Sequence, residues 1–447
     1  MVVVKLLQVP YCFYPDPVGG TEVYVESLAR ELQRAGDSVV IAAPAAAEAS
    51  YDHAGLPVRR FALDPDLRSL EALYGDGDPA AAAAFEKVLD AERPELVHLH
   101  ALTSAISPRL AASVRRRGIR LVFTYHTPTV SCPRGSLRRW GKEPCTGELS
   151  SAHCTACTLQ NLGVPRWVGE LLARVPRSLG EGLQQRGCSG GVWTALRMRS
   201  LIALRQKSFQ NFIGQADRVV AVSAWVRDVL LRNQIPKEKI VVCRHGLSDV
   251  PTPTPSAVPD RVEPSGSLRL VFVGRLEPLK GLAILLRALK RRPQLPLKLD
   301  VFGIAAPGEE TYRQALRKAA AQDARVRLLP LIPHPELIPR LAAYDLLIVP
   351  SQGLETGPLV VLEAFAAGVP VLGSRLAGIS EWVDDERNGR LLEASSVQAW
   401  SAALEALTQD RSTLARWRRN ISLPRSMPDV AGEMRALYCA ILEGACA

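Results

Sequence analysis

The chain has 447 residues, of which 47% are hydrophobic and 22% charged, and 55 Lys and Arg against 45 Asp and Glu leave a net charge of +10. That length exceeds one ordinary domain and suits two of about 150–250 residues, and the composition excludes wholesale disorder. The surplus of positive charge favours phosphates, nucleic acid or an anionic membrane surface as partners without choosing among them.

Met1 opens directly on Val2-Val3-Val4-Lys5-Leu6-Leu7, with no basic region before the apolar run and no cleavage site after it. With no leader of that kind, the nine cysteines are not read as a disulfide scaffold. No apolar run reaches the roughly 18 residues of a spanning helix. A soluble cytoplasmic chain is the expectation.

In chain order, 2–9 is a buried-strand run, and 21–35 carries Val25, Leu28, Ala29 and Leu32 at helical spacing. A strand at 38–43, an alanine-rich helix at 79–92, a strand at 95–100, a helix near 104–117 and a strand at 119–125 follow. Apolar strands without period-two alternation, each followed by a helix, predict a parallel sheet covered on both faces. Residues 127–165, rich in Cys, Gly, Pro and Arg, read as a loop-like insertion. Residues 166–208 read as helical and hold six of the chain's ten net positive charges. Alternation resumes with a strand at 217–223, a helix to about 233 and a strand at 239–243.

Prolines 251, 253, 255, 259 and 264 mark 250–267 as a linker. A second series of strands follows at 268–274, 297–303, 325–329, 345–350 and 369–374, with an amphipathic helix at 428–443. The expected architecture is α/β, with two Rossmann-like, doubly wound parallel-sheet domains (1–250 and 268–420) facing across a cleft. The last helix, in 421–447, is expected to pack back on the first domain. Ligands of such sheets bind at the carboxyl ends of the strands.

Three motifs could carry chemistry there. Gly19-Gly20-Thr21-Glu22 opens the first helix, where glycines allow close backbone approach and the helix start favours an anion; the plainer reading is a tight turn. In Val273-Gly274-Arg275-Leu276-Glu277-Pro278-Leu279-Lys280-Gly281, Arg275 and Lys280 lie between a strand and a helix. A guanidinium fork and an ammonium suit a diphosphate there, although solvated surface charges are the commoner fate of such residues. In Glu355-Thr356-Gly357-Pro358-Leu359-Val360-Val361-Leu362-Glu363, Pro358 is expected as the first helical residue. The amides of Gly357, Leu359 and Val360 would then offer donors to phosphate, and the two carboxylates to sugar hydroxyls. Alternatively, Glu355 only balances the helix dipole and Glu363 lies on the surface.

Together the motifs resemble the retaining glycosyltransferases of family 4, which have the GT-B architecture. The resemblance spans nearly the whole chain, taking in Tyr125-His126, Arg244-His245-Gly246, Ala367-Gly368-Val369-Pro370-Val371 and Gly378-Ile379-Ser380-Glu381 as well. It implies transfer of a hexose-type sugar from a nucleoside-diphosphate-sugar to a glycan or lipid-linked acceptor, with retention and no enzymic nucleophile. Arg275 and Lys280 would bind the diphosphate and stabilise its charge on leaving, Glu363 would bind the ribose, and Glu355 would meet the donor sugar. Gly19 and Gly20 would admit phosphate or acceptor, and His126 would contact the transferred sugar; a structural histidine at a strand edge is the alternative. Thr127 after His126, and Thr-Gly-Pro after Glu355, depart from the commoner family pattern and leave donor and acceptor identity open. No catalytic metal is required, since the cations and helix amides would neutralise the diphosphate. Asp384-Asp385-Glu386 reads as a solvated turn.

Cys132, Cys145, Cys154 and Cys157 place four thiols within 26 residues, a ligand count that suits a structural zinc site, with reduced, idle thiols as the alternative. The basic 166–208 segment, with Trp167, Val168, Leu171 and Leu172 beside arginines, invites contact with an anionic membrane surface, hence a peripheral place at its inner face; a wet basic helical face is the blander alternative. No base-stacking motif accompanies the charge, so nucleic acid is not expected. Two other functions stay open: a disaccharide phosphorylase or synthase, recognised by dependence on free phosphate, and a catalytically silent sugar-nucleotide-binding partner of a polysaccharide assembly complex, recognised by absence of turnover.

Overall fold

The structure, a computed structural model, describes residues 3–16, 19–188, 190–248, 266–305 and 308–443. The chain separates into two compact units, one reaching Arg244 and including the chain from Met427 onward, the other His245–Ser426. The switch between them falls at 244–245, upstream of the proline-rich linker, which lies almost wholly outside the described residues.

The first unit is built on ten strands: β1 (Lys5–Val9), β2 (Ser38–Ala45), β3 (Ala49–His53), β4 (Leu56–Ala62), β5 (Leu96–Leu99), β6 (Arg120–Tyr125), β7 (Arg138–Arg139), β8 (Glu143–Pro144), β9 (Arg218–Ala221) and β10 (Ile240–Val242). Eight of them form one sheet in the order β10-β9-β6-β5-β1-β2-β4-β3. Only β3, paired with β4, runs antiparallel. The sequence reading missed this hairpin, since Ala49–His53 has three exposed residues, with only Tyr51 and His53 partly buried, and lacks an apolar run.

Apolar residues fill both faces of the sheet, which is why the parallel strands show no alternation. One face packs Phe85, Leu110, Phe209, Phe212 and Leu230 against it, and the other packs Val25, Leu28, Leu32, Met434 and Tyr438. Burying each such side chain fully is worth about 1.5–3 kcal/mol. The helix Pro79–Glu92 starts where Asp78 accepts the Ala80 amide at 2.8 Å and Pro79 sets the first turn.

The last helix, Met427–Glu443, belongs to this unit and packs on the helix Gly20–Arg34. Arg435 pairs with the buried Asp37 at 2.9 Å, and Asp37 also accepts the Val4 amide at 3.2 Å. Residues 127–165 are more ordered than a loop. They hold the β7–β8 hairpin and the helix Ser151–Asn161, whose Ser150 cap accepts the His153 amide. The basic segment forms three helices: Arg166–Leu172, Arg177–Gln185 and Gly191–Gln215.

The second unit holds β11 (Leu268–Leu276), β12 (Leu297–Ala305), β13 (Val326–Leu329), β14 (Leu346–Val349), β15 (Val371–Ser374) and β16 (Gly389–Leu392). All pairings are parallel and the order is β13-β12-β11-β14-β15-β16. Chain order therefore reverses between β11 and β14, the topological switch point where such sheets bind ligands. β16 was not foreseen. Its turn is held by Asp385, which accepts the Leu391 amide at 2.8 Å and pairs with Arg375, so this carboxylate is structural and not merely solvated.

Candidate functional site

In the second unit the candidate residues converge on the carboxyl ends of β11 and β14. Arg275 is the penultimate residue of β11, more than half exposed, with its guanidinium 3.2 Å from Glu277. Lys280 ends the short 3-10 turn Pro278–Lys280, and its Nζ lies 2.6 Å from Glu355 Oε1. Ser351, two residues past β14, donates its hydroxyl to the same oxygen at 2.8 Å. Burial pushes the Glu355 carboxyl up, but the charge and hydrogen bond of Lys280, the Ser351 hydroxyl and the Arg275 charge outweigh it, and the group sits below its ordinary range.

Glycines permit this assembly. Gly281 has φ +74°, and a Cβ there would stand 1.8 Å from the Pro350 carbonyl oxygen. At Gly378, φ +86°, a Cβ would stand 1.8 Å from the Glu355 carbonyl oxygen. Gly357 has the His245 ring where its Cβ would go, and its carbonyl lies 3.3 Å from His245 Nδ1. Burial depresses the pKa of that imidazole to about 4, so it is neutral at pH 7.

The helix begins at Leu359, one residue later than expected, because Pro358 has an extended ψ of 104° and acts as the cap. The amides of Leu359 and Val360, in the first turn, lie outside the intrahelical ladder. Glu363 is 5% exposed and therefore not a surface residue; His334 Nε2 lies 3.3 Å from its carboxylate.

The first unit carries the other group. Gly19 caps the helix Gly20–Arg34, and its amide donates to Glu22 Oε2 at 2.8 Å. The chain's own carboxylate thus occupies the Gly19 amide, which removes it as a ready anion donor; Gly20 and Thr21 begin the helix proper. Cys12 lies near this carboxylate, and burial together with Glu22 and Asp16 pushes its thiol up to about 12. His126 follows β6 directly, is 4% exposed, and has its ring 4.9 Å from that of Tyr24. Its Nε2 is 3.0 Å from Nδ1 of His100, which follows β5 and in turn reaches Gln8 Oε1 on β1 at 2.7 Å.

The sequence reading missed Ser351, His334, His100 and Gln8. Ser351 and His100 each lie just past a strand's carboxyl end, a positional signal that was available. His334 and Gln8 gave none, since their partners are remote in sequence.

The four thiols of the insertion lie near enough to act on one another: burial, with Cys132, Cys145 and Cys157 adding to it, pushes the Cys154 thiol up to about 12. Cys154 and Cys157 share one helix, and Cys132 and Cys145 flank the β7–β8 hairpin. Among the described residues, however, no group of three or more His, Cys, Asp or Glu is placed to hold a metal ion. Backbone groups engage the sulfurs instead: Cys157 Sγ accepts the Trp140 amide at 3.4 Å, and Cys154 Sγ donates to the Glu148 carbonyl at 3.9 Å.

Two family descriptions match the chain: "Glycosyl transferase 4-like domain" over residues 19–246 and "Glycosyl transferases group 1" over residues 257–422. The D-inositol 3-phosphate glycosyltransferase of Arthrobacter sp. (strain FB24) is 34% identical over 154 residues, which are 34% of this chain and 36% of that protein. Its namesake from Thermobispora bispora is 32% identical over 226 residues, 48% of this chain and 53% of that protein. The chain thus matches about a third to a half of the length of these curated relatives. Among solved structures, Anabaena Alr3699/HepE in complex with UDP and glucose superposes with a TM-score of 0.64 at 18% identity, covering 98% of this chain and 100% of that one. The sucrose-phosphate synthase of Thermosynechococcus elongatus gives 0.66 at 18% identity, with the same coverage. At such identity the likeness is one of fold.

Proposed function

We propose that this chain, which belongs to the glycosyl transferase 4-like family and has a fold of the GT-B class, is a retaining glycosyltransferase that moves a hexose-type sugar from a nucleoside-diphosphate-sugar to an acceptor hydroxyl in cell-surface glycan or glycolipid assembly. The observation that carries this reading is the Lys280–Glu355 pair, with Arg275 beside it, at the switch point of the second sheet. An ammonium held by a carboxylate, an exposed guanidinium and the first-turn amides of Leu359 and Val360 suit a diphosphate whose charge grows as it leaves. Gly357, the glycine before the capping Pro358, is assigned to the phosphate through its backbone, and its missing side chain leaves room for the His245 ring. Glu355 is assigned to the donor sugar and Glu363 to the ribose. His126 is assigned to the transferred sugar, and Gly20 to the passage of phosphate or acceptor. In this reading the protein's own cations neutralise the diphosphate, and no cofactor is called for.

Nucleotide binding tests it. UDP, GDP, ADP and CMP are compared by thermal unfolding of the wild type and of an Arg275→Ala, Lys280→Ala double variant. One nucleotide at about a hundred times its Kd should stabilise the wild type by about 2.7 kcal/mol and leave the variant unmoved. No shift from any nucleotide at millimolar concentration would count against a diphosphate site in the free protein and turn the reading toward an acceptor-first order. Turnover with labelled donor, with and without free phosphate, then separates transferase from phosphorylase, with inositol 3-phosphate among the acceptors tried.

The same proposal places the protein peripherally on an anionic membrane surface. No helix among the described residues is long and apolar enough to cross a membrane. The basic helices nonetheless expose Trp167, Leu171, Leu179, Val192 and Trp193, beside exposed Arg166, Arg174, Arg177 and Arg186. Exposed apolar side chains among cations are the means by which a surface helix enters a headgroup layer. Co-sedimentation with vesicles containing anionic phospholipid is expected for the wild type, with a loss on the order of a hundredfold or more in partitioning for the Trp167→Ala, Leu171→Ala double variant, given about 1.5–3 kcal/mol per buried apolar side chain. Equal partitioning to neutral vesicles, or none to either, would refute this placement.

A further inference from the structure

Beneath His126 lies a buried chain of polar groups that the proposed chemistry does not use. His98, His100, Gln8 and Thr124 are each at most 1% exposed, as is Tyr438 on the last helix. Such groups persist in an apolar sheet only when their hydrogen bonds are satisfied, and these are. His98 Nδ1 lies 2.7 Å from Tyr438 Oη, and His98 Nε2 2.7 Å from Thr124 Oγ1. Gln8 faces both branches, its Oε1 2.7 Å from His100 Nε2 and its Nε2 3.5 Å from Tyr438 Oη.

The direction of every bond follows from the Gln8 carboxamide. Its NH₂ donates to Tyr438 Oη, so the tyrosine hydroxyl proton is free to go to His98 Nδ1. His98 then carries its proton on Nε2, donated to Thr124. On the other branch, Gln8 Oε1 can only accept, so His100 carries its proton on Nε2. Burial drives the pKa values of His98 and His100 well below the ordinary histidine value, so each ring holds one proton and no more. His100 Nδ1 is therefore a lone pair, and the group 3.0 Å away, His126 Nε2, must be the donor.

We propose that His100 is a positioning residue, which with Gln8 and Tyr438 holds His126 in the Nε2–H tautomer and leaves Nδ1 as the ring's acceptor, suited to a substrate hydroxyl. The kinetic part rests on the assignment of His126 to the transferred sugar; the tautomer does not. The last helix thereby gains a role beyond covering the sheet. It supplies the hydroxyl that orients the Gln8 carboxamide, two hydrogen bonds away from His126. Among the described residues, the ring of Tyr24 also faces this chain, 4.9 Å from His126 and 6.2 Å from His100.

Two-bond ¹H–¹⁵N correlation spectra of protein labelled at its seven histidines, assigned by single His→Gln variants, read the tautomers directly. His98, His100 and His126 should all show Nε2–H in the wild type. In Gln8→Leu the acceptor for His100 is gone, and His126 should become a mixture of tautomers. Gln8→Glu keeps the acceptor and should restore the single form. In the transfer assay, Gln8→Leu should lower kcat on the order of tenfold or more at unchanged donor KM, with recovery in Gln8→Glu. His126 found as Nδ1–H in the wild type would overturn the proposal, even if Gln8→Leu failed to fold. So would a His126 spectrum indifferent to Gln8→Leu. Correct tautomers with unaltered kcat would instead refute the assignment of His126 to the sugar while leaving the wiring in place.

Discussion

Lys280→Ala is expected to lower kcat on the order of a hundred- to a thousandfold, the usual cost of deleting one preorganised group that stabilises developing charge. The variant removes more than an ammonium. Glu355 stays partly buried beside Ser351 with its nearest cation gone, and burial, the largest of the influences on this carboxyl, is then opposed chiefly by the more exposed Arg275. In the wild type the carboxyl is depressed, so its contribution to stability is complete above the unfolded value of about 4.3 and is lost as pH falls through the lower folded value. In Lys280→Ala the folded pKa rises, and the sign reverses. The variant's stability deficit should be largest near neutrality and shrink on acidification. Unfolding midpoints of both proteins between about pH 4 and 8 check this, and Lys280→Arg, which keeps the charge, should recover most of the deficit. A rise in KM with kcat unchanged would mean that Lys280 binds ground state and transition state alike, and would remove it from the leaving-group role.

Gly281→Ala is expected to destabilise the second unit by about 3 kcal/mol or more. The new methyl would have to displace the Pro350 carbonyl, 1.8 Å away, while the backbone keeps a φ of +74°. Pro350 leads directly into Ser351 and Glu355, so relief of the clash moves the carboxylate that holds Lys280, and nucleotide affinity should fall with stability. Gly368→Ala is the control. It shares a positive φ, +68°, but opens on empty space, and should cost only about 1–2 kcal/mol. Urea unfolding of the two variants, with nucleotide titrations of each, decides the matter. Equal losses would show that left-handed strain alone is at stake and that the Pro350 contact yields freely.

Much of the architecture was legible because the physics that sets it is local. Helical spacing at Val25, Leu28 and Leu32, and uninterrupted apolar runs such as 268–274 and 345–350, announce helices laid on parallel strands buried on both faces. What escaped notice lacked a local signature. The half-exposed strand Ala49–His53 has no apolar run, β16 is four residues long, and the helix Ser151–Asn161 is hidden among cysteines and threonines.

The candidate site divides in the same way. Arg275, Lys280, Glu355 and Glu363 stand in two short motifs whose spacing a reader of the sequence can recognise, and so the chemistry could be expected. Which charges meet was decided by the fold: Lys280 is 75 residues from the Glu355 it pairs with, and His334 reaches Glu363 across a helix pair. The Gly19 amide, offered by the sequence to an anion, is taken by Glu22 because the first helical turn folds that side chain back. The sequence by itself determined the two sheets, which follow from periodicity, and the charged groups at their carboxyl edges, which follow from residue type, while the family was legible as a resemblance carried by the motifs. Only the tertiary structure decided the partners of those groups, because an ion pair or a proton's position depends on distances of about 3 Å between segments that the chain order leaves far apart.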